Sequence, residues 1–203
     1  MKIKVCGMRE LENIQAASNL DIDYLGFIFY PKSKRYISRI PQIRLGPSTQ
    51  RVGVFVNHPL EKVVALATEN ALTTLQLHGS ETIAYCQALK HQGFQLIKAF
   101  HVNEDFDFYS TLAYESVCDF FLFDTKGKQL GGNGYAFDWN LLEQYQGNTA
   151  FFLSGGISLE DVDRLRALNL KQLYGVDLNS RFETILGVKN IQLLESFIQQ
   201  LSL

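Results

Sequence analysis

Few side chains in this 203-residue sequence are equipped for chemistry, and they recur at equivalent places. Cys6 and Asp124 each close a short apolar run, Ile3-Lys4-Val5-Cys6 and Phe120-Phe121-Leu122-Phe123-Asp124. A thiol of ordinary pKa near 8.5 serves as a base around neutrality once its thiolate is modestly stabilised, although an inert buried cysteine is the commoner role. A carboxyl following four apolar residues is expected to have its pKa raised by desolvation, which suits proton donation. Bonding to its own loop's amides accounts for the same aspartate equally well. Ser154-Gly155-Gly156-Ile157 and Gly175-Val176-Asp177-Leu178-Asn179-Ser180 are two glycine-bearing strand ends. Backbone amides there can approach an anion closely. A tight turn explains either loop alone, but two in succession favour a phosphorylated ligand.

Three further segments belong to the same inventory. Gly131-Gly132-Asn133-Gly134 sits seven residues beyond Asp124 and suits either a closing loop or a surface connection. Arg35, in the basic run Pro31-Lys32-Ser33-Lys34-Arg35-Tyr36, suits either a solvated turn or a bidentate carboxylate clamp. His78 precedes Gly79 at another strand end and is placed to line a pocket. His58, His91 and His101 form no ligand pattern, and Cys6, Cys86 and Cys118 make no CxxC pair, so no metal is expected. A candidate lysine, Lys98, lies near the end of a fifth apolar run.

Positioning these residues falls to eight short β-type runs at 3–7, 24–29, 52–57, 74–79, 95–100, 120–124, 151–156 and 173–177. Segments of helical periodicity lie between them at 10–20, 59–70, 80–92, 104–116, 138–145, 158–168 and 190–201, with Ser80 and Ser158 read as N-caps. Pro41, Gly46 and Pro47 break any long helix over 40–50, so the second helix is expected to be short or replaced by a turn. Strands apolar on both faces and alternating with helices call for a parallel sheet covered on both sides. Eight such units favour closure into a (β/α)8 TIM barrel of the α/β class, whose strand C-termini meet at one face. A thiol, an aspartate and several glycine turns would then converge on one pocket.

Composition narrows the partners. With 46% hydrophobic and 20% charged residues and a net charge of -2, nothing draws the chain to nucleic acid or an anionic membrane. No apolar stretch reaches the roughly 20 residues of a membrane span. The N-terminus runs directly into a strand without a signal-type apolar region, so a cytoplasmic location is expected. No linker interrupts the pattern, so residues 1–203 are read as a single domain, and a monomer is expected over a homodimer.

Taken together, the motifs resemble the phosphoribosylanthranilate isomerase family of tryptophan biosynthesis over essentially the whole chain. They are Lys4-Val5-Cys6-Gly7-Met8, Gly26-Phe27-Ile28-Phe29 through Ser33-Lys34-Arg35-Tyr36, Val52-Gly53-Val54-Phe55-Val56-Asn57 and Leu75-Gln76-Leu77-His78-Gly79. Asp124 with Gly131-Gly132-Asn133-Gly134, Leu153-Ser154-Gly155-Gly156-Ile157, and Gly175-Val176-Asp177 with Ser180 and Glu183 complete the set. The resemblance implies a metal-free, cofactor-free Amadori rearrangement of a small phosphorylated substrate. It implies Asp124 as the general acid and Cys6 as the general base, Arg35 on the anthranilate carboxylate, and a phosphate cradle from Gly132, Gly155, Gly156, Asp177 and Ser180. Three positions depart from the family pattern: Asn133 stands where threonine is usual, Arg181 where a glycine usually follows the serine, and Asn190 where an aspartate commonly follows the lysine. Two other readings stay open. One is another phosphosugar barrel enzyme, such as a synthase using Lys98 or an epimerase; the other is a catalytically silent phosphometabolite-binding barrel.

Overall fold

The eight apolar runs do close on themselves, because strands apolar on both faces leave no side that water can cover. The structure is a computed structural model that describes residues 1–46, 48–125 and 139–202, the Thr125 side chain excepted. Its strands are β1 (Lys2–Cys6), β2 (Tyr24–Ile28), β3 (Gln50–Phe55), β4 (Thr74–Leu77), β5 (Gln95–Val102), β6 (Phe120–Thr125), β7 (Phe151–Ser154) and β8 (Leu173–Leu178). They form a closed barrel in sequence order, with β1 pairing in parallel to both β2 and β8. Alternate residues point in opposite directions along each strand. Tyr24, Val52, Ile97, Ala99, Leu122 and Phe152 fill the barrel interior. Their neighbours Phe27, Phe55, Leu77, Phe121, Phe123 and Leu153 pack outward in the larger core beneath the helices.

The helices are α1 (Leu11–Ser18), α2 (Leu60–Glu69), α3 (Ile83–His91), α4 (Tyr109–Leu112), α5 (Val162–Ala167) and, at the end of the chain, α6 (Ile191–Ser202). No helix joins β2 to β3 among the described residues, in agreement with the breakers over 40–50. Elsewhere, α6 apart, the helices are shorter than the periodicity implies. Over 104–116 only α4 forms, because side chains there bind nearby backbone instead of leaving it to the helix ladder. Asp107 accepts from Tyr109 N (3.0 Å), Ser110 Oγ donates to Asp107 O (2.6 Å) and Thr111 Oγ1 to Phe108 O (2.7 Å). The span 138–145 is a 3-10 turn, Trp139–Gln144. The span 158–168 divides into a 3-10 turn, Leu159–Asp161, and α5.

Thr82, not Ser80, caps α3, its side chain accepting from Tyr85 N. Ser80 is displaced from that role because Glu81 folds backward. Its Oε1 accepts from Asn57 N (2.8 Å) and its Oε2 from Gly79 N (2.9 Å), which ties the β4 loop to the β3 loop.

Two features of β8 and its sequel were not legible in the pattern. Between β7 and β8 the register slips, Phe151 opposing Leu173 and Phe152 opposing Gly175. The extra residue resets the inward face, so Tyr174 joins the interior cluster while Asp177, three residues on, also faces the pocket. After β8 a small antiparallel hairpin, β9 (Glu183–Ile185) and β10 (Val188–Lys189), precedes α6.

Candidate active site

The strand C-termini enclose a cavity of about 280 Å³. Cys6, Gln76, His78, Asp124, Ser154 and Asp177 line it from five strands and their ends, and the β7 and β8 loops complete one side.

Cys6 occupies the end of β1 because the neighbouring strand leaves it room. A Cβ at Gly26 would lie 2.8 Å from the Cys6 Sγ. Gly7, at a φ of +80°, then turns the chain sharply, and both Gly7 N and Met8 N donate to Gly26 O. Two residues earlier, on the same strand face, fully buried Lys4 donates from Nζ to Asp177 Oδ1 at 2.7 Å. Burial pushes the Cys6 thiol pKa up; the Lys4 and Lys189 ammonium groups pull against it, and the net shift is upward. A base near neutrality requires a stabilised thiolate. The cations are there, but desolvation outweighs them.

Asp124 differs from expectation more sharply. The four apolar residues before it do not surround it, because Phe121 and Phe123 point into the outer core. Its carboxylate meets two imidazoles instead: His101 Nδ1 is 3.3 Å and His78 Nε2 3.4 Å from Oδ2. Burial pushes its pKa up, yet the interactions with His101 and His78 more than reverse this and hold the carboxyl well below the usual range. His101 escaped notice because β5 runs past residue 100 to Val102, and that extension pairs His101 with Asp124 in register. Behind His78, Gln76 Nε2 contacts its Nδ1 at 2.7 Å.

Arg35 is placed over Gly7, where an added Cβ would meet its Cδ at 2.6 Å. Its fork is engaged by Glu183, Nε to Oε1 at 2.7 Å and Nη2 to Oε2 at 2.6 Å. Lys189 donates to the same Oε1 at 2.8 Å and to Asn179 Oδ1 at 2.7 Å. Burial raises the Glu183 pKa, but Arg35 and Lys189 together bring it below the ordinary glutamate value. Arg35 thus stands beside the cavity, oriented by a carboxylate of the chain itself. Sequence reasoning missed Lys189 as a neighbour of Cys6, since only the β9–β10 hairpin brings it there. Lys4 carried a readable signal, its two-residue spacing from Cys6.

At the opposite side Gly155 and Gly156 both adopt positive φ, 109° and 73°, a backbone that L side chains rarely adopt. With Ser180, Arg181 and Asn179 they line the pocket. The Asp177 carboxylate is committed to Lys4, and Ser154 Oγ lies 3.4 Å from its other oxygen. Ser158 N and Oγ both bond Asp161 Oδ2, which fixes the exit of the β7 loop. Gly132 lies outside the described residues.

Residues 3–200 match the family model described as N-(5'phosphoribosyl)anthranilate (PRA) isomerase. The chain is 45% identical over 201 residues to the N-(5'-phosphoribosyl)anthranilate isomerase of Phocaeicola vulgatus, covering 99% of this chain and 98% of that protein. Among solved structures, the phosphoribosyl anthranilate isomerase of Thermotoga maritima aligns with a TM-score of 0.87 at 35% identity, over 100% of this chain and 98% of that one. A phosphoribosyl anthranilate isomerase in complex with reduced 1-(o-carboxyphenylamino)-1-deoxyribulose 5-phosphate aligns with a TM-score of 0.84 at 33% identity, with the same coverage.

Proposed function

The chain belongs to the N-(5'-phosphoribosyl)anthranilate isomerase family, and from that premise we propose how its cavity performs the family's reaction in tryptophan biosynthesis. The substrate is N-(5'-phosphoribosyl)anthranilate and the product 1-(2-carboxyphenylamino)-1-deoxyribulose 5-phosphate. The observation that carries the reading is the placement of Cys6 and Asp124 on the wall of one cavity, with a positive-φ glycine pair at its rim.

Asp124 acts as the general acid. It delivers a proton to the furanose ring oxygen as the C1′–O bond breaks, and the nitrogen lone pair forms the Schiff base. The proton is drawn from solvent at the cavity mouth, while His78 Nε2 faces and orients the carboxylate. Since the resting carboxyl is ionised, protonation and ring opening are concerted within this hydrogen-bonded group rather than awaiting a free carboxylic acid. Cys6 then removes the C2′ proton, leaving an enamine that relaxes to the ketone. Lys4 and Lys189 favour the thiolate against its desolvation.

The amides around Gly155, Gly156, Asp177 and Ser180, with Gly132 contributing from its loop, hold the phosphate, and the Arg181 cation adds charge at the same rim. Binding there is mostly through backbone donors, which tolerate no side chain between amide and anion. Arg35 meets the anthranilate carboxylate with the edge of the guanidinium that Glu183 leaves open. Arg35→Ala is expected to raise KM by roughly ten- to a hundredfold, about 1.5–3 kcal/mol for a charge-assisted bond, with a smaller change in kcat. An unchanged KM in steady-state kinetics would remove the clamp.

Geometry weakens the other phosphosugar reading. Lys98 is buried and donates to the carbonyls of Leu77, Gly79 and Ala99, with Glu81 at 3.4 Å, so its ammonium serves the β4 loop and not the cavity. The large exposed apolar side chains are spread over several elements, including Leu11 on α1, Ile83 on α3, Tyr109 with Leu112 on α4 and Ile185 with Leu186 in the hairpin, which favours a monomer. Sedimentation equilibrium is expected to return the mass of one chain; twice that mass at micromolar concentration rules the monomer out. No described helix is long and apolar enough to cross a membrane.

The test of the function is a fluorescence assay with freshly generated phosphoribosylanthranilate. Turnover far above spontaneous decay supports the isomerase. Saturable binding of a phosphorylated product analogue without turnover returns the reading to a silent binding barrel.

A further inference from the structure

The mouth of the cavity holds three potential metal donors, one of which, Asp124, is also the proposed acid. One ring nitrogen each of His78 and His101 and an Asp124 carboxylate oxygen all lie within 4.8 Å of one another. We propose that these three form a binding site for a first-row divalent transition metal, Zn²⁺ foremost, and that its occupancy blocks the cavity as an inhibitory switch.

Distance separates this reading from an ordinary ion pair. Histidine–carboxylate hydrogen bonds with charge assistance settle at about 2.7–2.9 Å, whereas here the two separations from Asp124 Oδ2 are 3.3 and 3.4 Å. Zinc bonds of about 2.0–2.1 Å place tetrahedral ligands about 3.3–3.4 Å apart. Two edges of such a cage are therefore already set. His101 is 54% exposed at its side chain, so its ring is free to bring the third edge in, and solvent can reach the fourth position. Two imidazoles and one carboxylate are the donor types that such metals take.

A second observation comes from behind the cluster. Gln76 is only 1% exposed, and its Oε1 has no hydrogen-bond partner among the described residues. Its Nε2 faces His78 Nδ1 instead, which requires the imidazole proton to sit on Nε2, toward Asp124. A metal on Nε2 moves that proton to Nδ1. A half-turn of the Gln76 amide then lets Oε1 accept from the new N–H, with Nε2 taking the place that Oε1 vacates. A remote N–H held by an amide or carboxylate is the usual outer support of a metal-bound histidine. No ligand pattern is visible in the sequence because the three donors are at residues 78, 101 and 124, on or just past three different strands.

Inhibition, unlike binding, rests on the proposed role of Asp124, and the experiment keeps the two apart. Purified protein is titrated with Co²⁺, read by visible absorption, and with Zn²⁺, read by calorimetry, both without substrate. One ion per chain with the intense visible bands of tetrahedral cobalt is expected. His101→Ala, at a half-exposed position, should keep the fold and melting temperature while weakening both metals roughly tenfold or more. Turnover is then measured against Zn²⁺ with chelator rescue, and the zinc concentration for half inhibition should rise by the same factor in His101→Ala. Sub-stoichiometric binding, or binding indifferent to His101→Ala but lost in Cys6→Ser, overturns the site. Stoichiometric binding with unaltered turnover overturns the switch. A protein that binds cobalt as expected but never turns substrate over leaves the site standing and removes the isomerase reading.

Discussion

Asp124→Asn should lower kcat for the rearrangement by about 10²–10⁴-fold, the range a positioned acid contributes. The substitution is nearly isosteric and replaces a carboxylate with an amide that has no proton to transfer to the ring oxygen. His78 and His101 keep a hydrogen-bonding partner at 3.3–3.4 Å, so the pocket wall should hold its shape. Binding of a reduced product analogue, measured by fluorescence titration, should stay within a few-fold of the parent, because the phosphate amides lie on the β7 and β8 loops. The thermal midpoint should fall little, since the lost charge pairs face a cavity open to solvent. A kcat within tenfold of the parent would sink the assignment of Asp124 as the acid. Loss of analogue binding along with turnover would instead mark Asp124 as a substrate-binding group.

Cys6→Ala is expected to cost turnover by a similar factor, and its pH dependence makes the test sharper. The active form of a base is the deprotonated one. Burial raises the Cys6 pKa above the ordinary thiol value in spite of Lys4 and Lys189. The thiolate fraction therefore grows as pH rises through and beyond the ordinary thiol range, and kcat/KM of the parent should climb on its alkaline side. Residual activity in Cys6→Ala should lack that limb. A limb that persists unchanged belongs to another group and removes Cys6 as the base. Gly26→Ala offers a second route to the same atom, because the new methyl would sit 2.8 Å from Sγ. Forced displacement in a packed site costs about 1–3 kcal/mol of stability, and kcat should drop although the thiol is retained. Full activity in that variant would mean that the thiol's position is immaterial, which a base at C2′ does not allow.

The strands were legible because their signal is local. Runs such as 24–29 and 120–124 are apolar on both faces, which suits a sheet buried on both sides and little else. Gly7, Gly155 and Gly156 were readable for a related reason, since each carries the positive φ that its turn demands. Helix ends were less legible. Asp107, Ser110 and Thr111 fit a helical period, yet their side chains capture nearby backbone groups and shorten α4. Ser80 looked like a cap, but Glu81 is drawn to the amides of Asn57 and Gly79, and Asn57 belongs to a different loop.

What the sequence determined by itself is the alternation of elements, the closed barrel they favour, and the placing of Cys6, His78, Asp124 and the glycine loops at one rim. All of these follow from side-chain period and backbone freedom, which act over a few residues. Only the tertiary structure decided which charges meet. Asp124 is held ionised by His78 and His101 rather than raised by its aromatic neighbours, because pleating turns those neighbours outward and the register of β5 on β6 brings His101 across. Arg35 found Glu183 across 148 residues, and the slip between β7 and β8 turned Asp177 toward Lys4. A one-residue change of register reverses every inward side chain, and pKa values follow whichever partners that register supplies.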